Sequence, residues 1–148
     1  MLIVYLSGPI KCLNYKEAVE WRDWVAKELN DYDIITISPM RGKGYLNNEI
    51  CLSESYEKTL MSNNKAIVTR DKFDTIRSDI LLLNLLGAKK VSIGSMIELG
   101  WASANDIPVI TVADMENDNI HNHGFIKELS GWVVNDLETA IQVIKNLI

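Results

Sequence analysis

At 148 residues the chain is long enough for one domain with a real hydrophobic core. Its 47% hydrophobic and 24% charged residues are those of a soluble globular protein, and a formal charge of −5 argues against a polyanion such as DNA as main partner. A small phosphate ligand held by a few local cations remains compatible with that charge.

No apolar run approaches the roughly 20 residues that span a bilayer. The opening MLIVYLSGPI lacks a basic flank and reads as a strand, not a secretion signal. Cys12 and Cys51 show no metal-ligand spacing, and two thiols in such a chain point to a reducing cytoplasm.

The continuous apolar run Leu2–Leu6, stopped by Ser7-Gly8-Pro9, predicts a strand covered on both faces. A helix follows over Tyr15–Leu29, with Ala18, Trp21, Val25 and Leu29 as its buried stripe. Ile34–Ile37 is the second strand, ended by Ser38-Pro39. Met40–Arg70 is of mixed character, with a helix expected around Glu54–Ser62. Asp71–Ser78 reads as a short helix feeding the third strand, Ile80–Leu83. A helix capped by Ser95 and carrying Glu98 comes next, then strands at Val109–Val112 and Trp132–Val134. The closing helix places Leu137, Ala140, Ile141, Ile144 and Ile148 on one face.

Apolar strands alternating with helices predict a single α/β domain over residues 1–148: a doubly wound, five-stranded parallel sheet of flavodoxin or Rossmann-like type, with helices on both faces. Ligands bind beyond the carboxyl ends of such strands, near the switch point of strand order. Ser7-Gly8-Pro9, Ser38-Pro39, Asn84 and Ser92–Ser95 all fall there and are expected to share one cleft.

Within that cleft Gly8 would let backbone approach a ligand, with Lys11 as a cation just beyond. Gly94 and Ser95 stand at a helix start whose free N–H groups and dipole favour an anion. Glu98 follows within the first turn, between Ile97 and Leu99; a carboxylate in apolar surroundings is paired, protonated or used. Asp71 and Asp74 precede the third strand. With two histidines in one late segment and no Ser-His-Asp order, the candidate chemistry is that of two carboxylates, one a nucleophile and one a proton donor.

Several features have plainer readings. Asp79 turns the chain into the third strand. Arg41–Tyr45 either closes over a base or phosphate or stands in solvent, and is not a Gly-x-Gly-x-x-Gly or P-loop signature. Asp114–Asp118 lacks the glycine and closing glutamate of a calcium loop. His121 and His123 have no obvious third ligand, so neither a metal nor a cofactor is expected. Trp21, Trp24 and Trp101 read as packing residues.

The segments IVYLSGPI, RDKFDTIRSDILLLN and SIGSMIELGWASANDIPVI resemble the nucleoside 2-deoxyribosyltransferase superfamily, which includes the nucleoside 5′-monophosphate N-glycosidases. The resemblance runs in order along nearly the whole chain; its most specific motif is Gly-x-x-x-Glu-[LI]-Gly-x-Ala, met by Gly94–Ala102 without gaps. It implies Glu98 as nucleophile, Asp71 as proton-handling acid, aided by Asp74, and Tyr5 beside the nucleophile. Where the transferases carry an aspartate six residues before the nucleophile, this chain has Ser92. The N-glycosidases carry a phosphate-binding serine there and a basic residue at the place of Lys11. The resemblance therefore implies a nucleoside monophosphate substrate, cleaved at its N-glycosidic bond, with base transfer between nucleosides as the alternative. It also implies a homo-oligomer whose clefts are completed by a neighbouring subunit, with Asn122 or His123 reaching across. A reading of another class is a nucleotide-binding module without turnover, which would have no use for a nucleophile opposite an acid.

Overall fold

The computed structural model describes residues 1–116 and 118–148. Asn117, inside the acidic stretch set aside above as a calcium loop, lies outside the described residues.

Five strands form one all-parallel sheet in the order β2-β1-β3-β4-β5: β1 (Leu2–Ser7), β2 (Ile34–Ile37), β3 (Ile80–Asn84), β4 (Val109–Val112) and β5 (Trp132–Val134). Among the described residues five α-helices connect or follow them: α1 (Tyr15–Leu29), α2 (Asn64–Ile76), α3 (Ile93–Ala104), α4 (Gly124–Leu129) and α5 (Leu137–Lys145). This is the doubly wound arrangement expected from alternating apolar strands and helices. The direction of winding reverses between β1 and β3, which opens a crevice at their carboxyl ends.

Alternation along β1 sorts its side chains between the two layers. Val4 and Leu6 pack with Val25 and Leu29 of α1 and Ile141 and Ile144 of α5. Tyr5 faces the other way, with Leu81 and Leu83 of β3, Leu99 of α3 and Ile126 of α4. Ser7, two residues beyond Tyr5, shares its face.

Five details differ from the sequence expectation, each for a physical reason. The expected helix over Glu54–Ser62 is a run of turns. Its Ser and Thr side chains bond locally, Ser55 Oγ to Glu57 and Thr59 Oγ1 to the Tyr56 carbonyl, which competes with helix. Just before it, Leu52 pairs by backbone with Leu13 and Cys12, closing the segment onto the loop after β1. The short helix before β3 begins at Asn64, because Asn63 Oδ1 accepts the Ala66 N–H as an N-cap. The buried stripe of α1 contains Arg22, not Trp21, which is only half-buried. The Glu98 helix starts at Ile93 with Ser92 as N-cap, so Glu98 sits in its second turn rather than its first. A helical turn, α4, forms directly after His123.

Candidate active site

Tyr5 and Ser7 reach the same target. Tyr5 Oη donates to Glu98 Oε1 at 2.9 Å, and Ser7 Oγ donates to Glu98 Oε2. The strand supplies both donors at an i, i+2 spacing, and the second turn of α3 supplies the carboxylate. Ser7 was a loop residue in the sequence reading; the strand period, carried one step beyond Tyr5, is the signal that finds it. Burial, and then the charge of Asp71, push the Glu98 carboxyl up to about 7, against the two hydrogen bonds and the charge of Arg22. The direct partners of Glu98 are hydroxyls, not a cation. Tyr5, wholly buried, has its phenol pushed well above its ordinary value, first by burial and then by Glu98.

Arg22 is the long-range cation. Wholly buried on α1, it donates to the carbonyls of Leu6, Gly8 and Ala18, fixing the end of β1 from behind. Burial brings its guanidinium down to about 10, still charged at neutral pH. A charge inside an otherwise apolar helix stripe was the available sequence signal.

Asp71 lies on the buried face of α2. Burial pushes its carboxyl up to about 6, and Asp74 adds to this, while Lys43, Arg70 and Arg41 oppose it. The nearest Arg70 nitrogen is 4.0 Å away, too far for a hydrogen bond, and Asp71 Oδ1 is buried with no partner among the described residues. An acceptor held this way is available to something that enters the cleft.

Asp74 does a different job. It is wholly buried between Arg41 at 2.6 Å and Arg77 at 2.8 Å, so it positions the loop after β2 rather than facing a ligand directly. Asp79 accepts the Ile3 N–H at 2.7 Å, in keeping with its structural reading.

Gly8 is required by packing, not by a ligand: a Cβ there would stand 2.7 Å from the Asn84 carbonyl oxygen and 3.2 Å from the Trp21 ring. Lys11 points into solvent and pairs with Glu54 at 2.8 Å. At the start of α3, Ser92 Oγ caps the Ser95 N–H and lies 2.8 Å from Ser95 Oγ. Capping of Ser95 leaves the Ile93 and Gly94 N–H groups as helix-start donors without an intrahelical acceptor. The Ser92 N–H donates to Nε2 of buried His121 at 3.0 Å, a clamp the sequence reading did not foresee. His123 Nδ1 caps α4 through the Phe125 N–H, and Asn122 Nδ2 donates to the Met115 carbonyl. Asn122 and His123 are thus bonded within their own chain, and among the described residues no hydrogen bond or ion pair joins them to Glu98.

A 2-1-3-4-5 parallel sheet with two perturbed carboxylates beside its switch point defines an α/β protein equipped for acid and nucleophile chemistry. The sequence model of the nucleoside 2-deoxyribosyltransferase family matches residues 4–141. The chain belongs to that family, whose members are enzymes acting on nucleosides or nucleotides. No curated protein sequence matches it. Among solved structures it is similar to a 2-deoxyribosyltransferase from Leishmania mexicana, at TM-score 0.69 and 14% identity over 99% of this chain and 98% of that one. It is similar to the 2-deoxyribosyltransferase of Bacillus psychrosaccharolyticus at 0.65 and 15%, over 94% and 90%. It also resembles the CMP N-glycosidase BcmB of Clostridium botulinum at 0.59 and 17%, over 99% of both chains. At these identities the likeness is one of fold.

Proposed function

We propose that the protein cleaves the N-glycosidic bond of a (deoxy)nucleoside 5′-monophosphate through a covalent glycosyl-Glu98 intermediate. The observation that carries this is the pair of hydroxyl donors, Tyr5 and Ser7, holding Glu98 beside Asp71 at the sheet's switch point. Glu98 attacks C1′ of the sugar, the C1′–N bond breaks, and its electron pair leaves with the base. Asp71 gives its proton to that base. Asp71, now a carboxylate, then takes a proton from water, which attacks C1′ and releases Glu98 and the sugar phosphate. Mutual repulsion suits the two carboxyls to one shared proton, the state such a division of labour needs.

A monophosphate is favoured by the start of α3, where Ser92, Ser95 and the free amides offer donors and no carboxylate. Lys11 would join from the loop after β1 by leaving Glu54. Two free, exposed cysteines agree with a reducing, cytoplasmic setting.

A homo-oligomer is supported by the outer face of α2 and α3. α2 buries Asp71, Asp74 and Thr75 while Val68, Phe73 and Ile76 are exposed, and α3 and α4 expose Ile93, Ile97 and Phe125.

Incubation with a panel of nucleosides and monophosphates, followed by chromatography of free base, tests the reading. Release from monophosphates in water supports it. Release that requires a second base would make the protein a transferase, and no release with intact binding would leave a nucleotide-binding module.

A further inference from the structure

Arg22 stands on α1, which covers the opposite face of the sheet from α3, and yet its donors lead back to Glu98. Nε binds the Leu6 carbonyl at 3.1 Å and Nη2 the Gly8 carbonyl at 3.0 Å, while Nη1 binds the Ala18 carbonyl one turn back on α1. The Trp21 ring lies 4.4 Å from the guanidinium. A wholly buried guanidinium is costly to desolvate, so a helix face that only had to pack would carry an apolar residue there.

These bonds fall where the strand ladder weakens. β1 pairs with β2 only as far as Tyr5, whereas its pairing with β3 runs on to Ser7. Leu6 and Gly8 flank Ser7 in the chain, so the guanidinium holds the carbonyls before and after it. Gly8 also packs against the Asn84 carbonyl, too closely for any Cβ. The bond to Ala18 ties the fork to its own helix, so the end of β1 is referred to α1 and not to a loop.

Ser7 Oγ in turn donates to Glu98 Oε2, and Tyr5 Oη to Oε1. One donor leaves a carboxylate free to turn about its last, soft torsion; two fix its plane. Tyr5 lies inside the ladder on both sides, whereas Ser7 lies past it on one. The second donor is therefore the one that needs support.

We propose, on the reading that Glu98 attacks C1′, that Arg22 is a positioning residue for this nucleophile and acts through Ser7. It holds the end of β1 so that Ser7 Oγ stays on Glu98 Oε2 and the carboxylate keeps its aim. A misplacement of about 1 Å at a reacting group costs on the order of a hundredfold in rate, so the clamp bears on turnover and not on substrate affinity.

The test is a double-mutant cycle. Ser7→Ala removes the second donor and leaves Tyr5. Arg22→Lys keeps the positive charge and loses the planar fork that spans three carbonyls. Each alone is expected to lower kcat for base release by about tenfold or more, with KM changed by less than about twofold. Added to Ser7→Ala, Arg22→Lys should cost less than about twofold more, because the group it positions is already gone. A purely structural residue would cost the same factor in both backgrounds. Losses that multiply, or an Arg22→Lys protein with wild-type kcat, overturn the proposal.

Trp21→Leu takes away the ring beside the guanidinium but none of its hydrogen-bond partners, and it replaces Arg22→Lys in the cycle if that variant does not fold. A loss of turnover with Ser7 present and none in Ser7→Ala supports the clamp; equal effects in both overturn it.

If the wild-type protein releases no base from any substrate, the hydrolytic reading fails separately, and Glu98 itself decides on Arg22. Carbon-13 NMR titration of the Glu98 carboxyl reads the Ser7 bond, which favours the ionised form. Ser7→Ala and Arg22→Lys should each move the titration to higher pH, and the double variant no further than Ser7→Ala alone. An Arg22→Lys titration that matches wild type, or shifts that add, overturns the proposal.

Discussion

Tyr5 and Glu98, 93 residues apart in sequence, meet at 2.9 Å because parallel pairing of β1 with β3 brings the end of one strand beneath the helix that follows the other. The hydroxyl orients one carboxylate oxygen and leaves the other to Ser7. Glu98→Gln keeps the shape and both hydrogen-bond positions but cannot form the ester, so base release should fall by about a thousandfold or more while the fold persists. Tyr5→Phe should lower turnover by roughly 10–100-fold, since it leaves a buried carboxylate oxygen without its donor. Near-normal turnover in Glu98→Gln, followed as free base, would rule out the covalent mechanism.

The two carboxyls also set a pH profile. Glu98 must be ionised to attack and Asp71 protonated to give up its proton. With Glu98 near 7 and Asp71 near 6, activity should peak between about pH 6 and 7. It should fall below that window as Glu98 gains a proton, and above it as Asp71 loses one. Removing the Tyr5 donor raises Glu98 further, so the singly protonated pair keeps its proton to higher pH: the alkaline limb of kcat/KM in Tyr5→Phe should move up while the acid limb stays near pH 6. An alkaline limb that stays in place would separate the phenol from Glu98 ionisation.

Stability carries the same signature with the opposite sign from an ordinary carboxylate. The folded protein holds the Glu98 proton up to about 7, whereas an unfolded glutamate loses it near 4.5. Stability therefore falls as pH rises from about 4.5 to 7, by an amount on the order of 3 kcal/mol. Glu98→Gln has no proton to lose. Its melting temperature should match the wild type near pH 4.5 and exceed it by several degrees above pH 7. Parallel melting curves across that range would mean that Glu98 is not desolvated as described.

The sheet and the helix that carries Glu98 were legible in the sequence; the surroundings of Asp71 were not. Continuous apolar runs such as Leu81–Leu83 and Val109–Val112 announce buried parallel strands, and their strand positions follow directly. α2 defeats the same reasoning because its buried face is Asp71, Asp74 and Thr75 while Val68, Phe73 and Ile76 stand in solvent, the reverse of an ordinary surface helix. Periodicity therefore shortened it and invented a helix ahead of it. Arg22 stayed hidden for a related reason: a buried cation reads as a surface residue until its carbonyl neighbours are placed around it. The choice of Ser92 over Ser95 as cap depended on a side-chain bond that sequence alone leaves open.

Ser92 gives a clean test of the phosphate subsite because its two roles separate. Aspartate caps helices as well as serine does, so Ser92→Asp should leave α3 and the melting temperature nearly unchanged. It also places a carboxylate where the phosphate is proposed to bind. Use of monophosphates should drop by about tenfold or more, with nucleosides affected far less. Lys11→Met should weaken monophosphate use only modestly, since Lys11 is exposed and already engaged by Glu54. A wild-type preference for nucleosides would move the chain to the transferase reading.

The proposed assembly can be tested through the clefts themselves. Ile93 and Ile97 on α3 and Phe125 on α4 are exposed on helices that pack against each other, and the loop leading to Phe125 carries Asn122 and His123. Within one chain Asn122 is held by the Met115 carbonyl and His123 by the Phe125 N–H, contacts that stiffen this loop instead of aiming it at its own Glu98. A stiffened loop beside an apolar face is suited to enter a neighbour's site. Ile97→Glu should therefore shift the protein toward monomer in sedimentation, and base release should fall with it. Mixing Glu98→Ala chains with chains inactivated at Asn122 and His123 should restore part of the activity, because some clefts regain both intact halves. No recovery after demonstrated subunit exchange would place the complete site within one chain, and dissociation without loss of turnover would do the same.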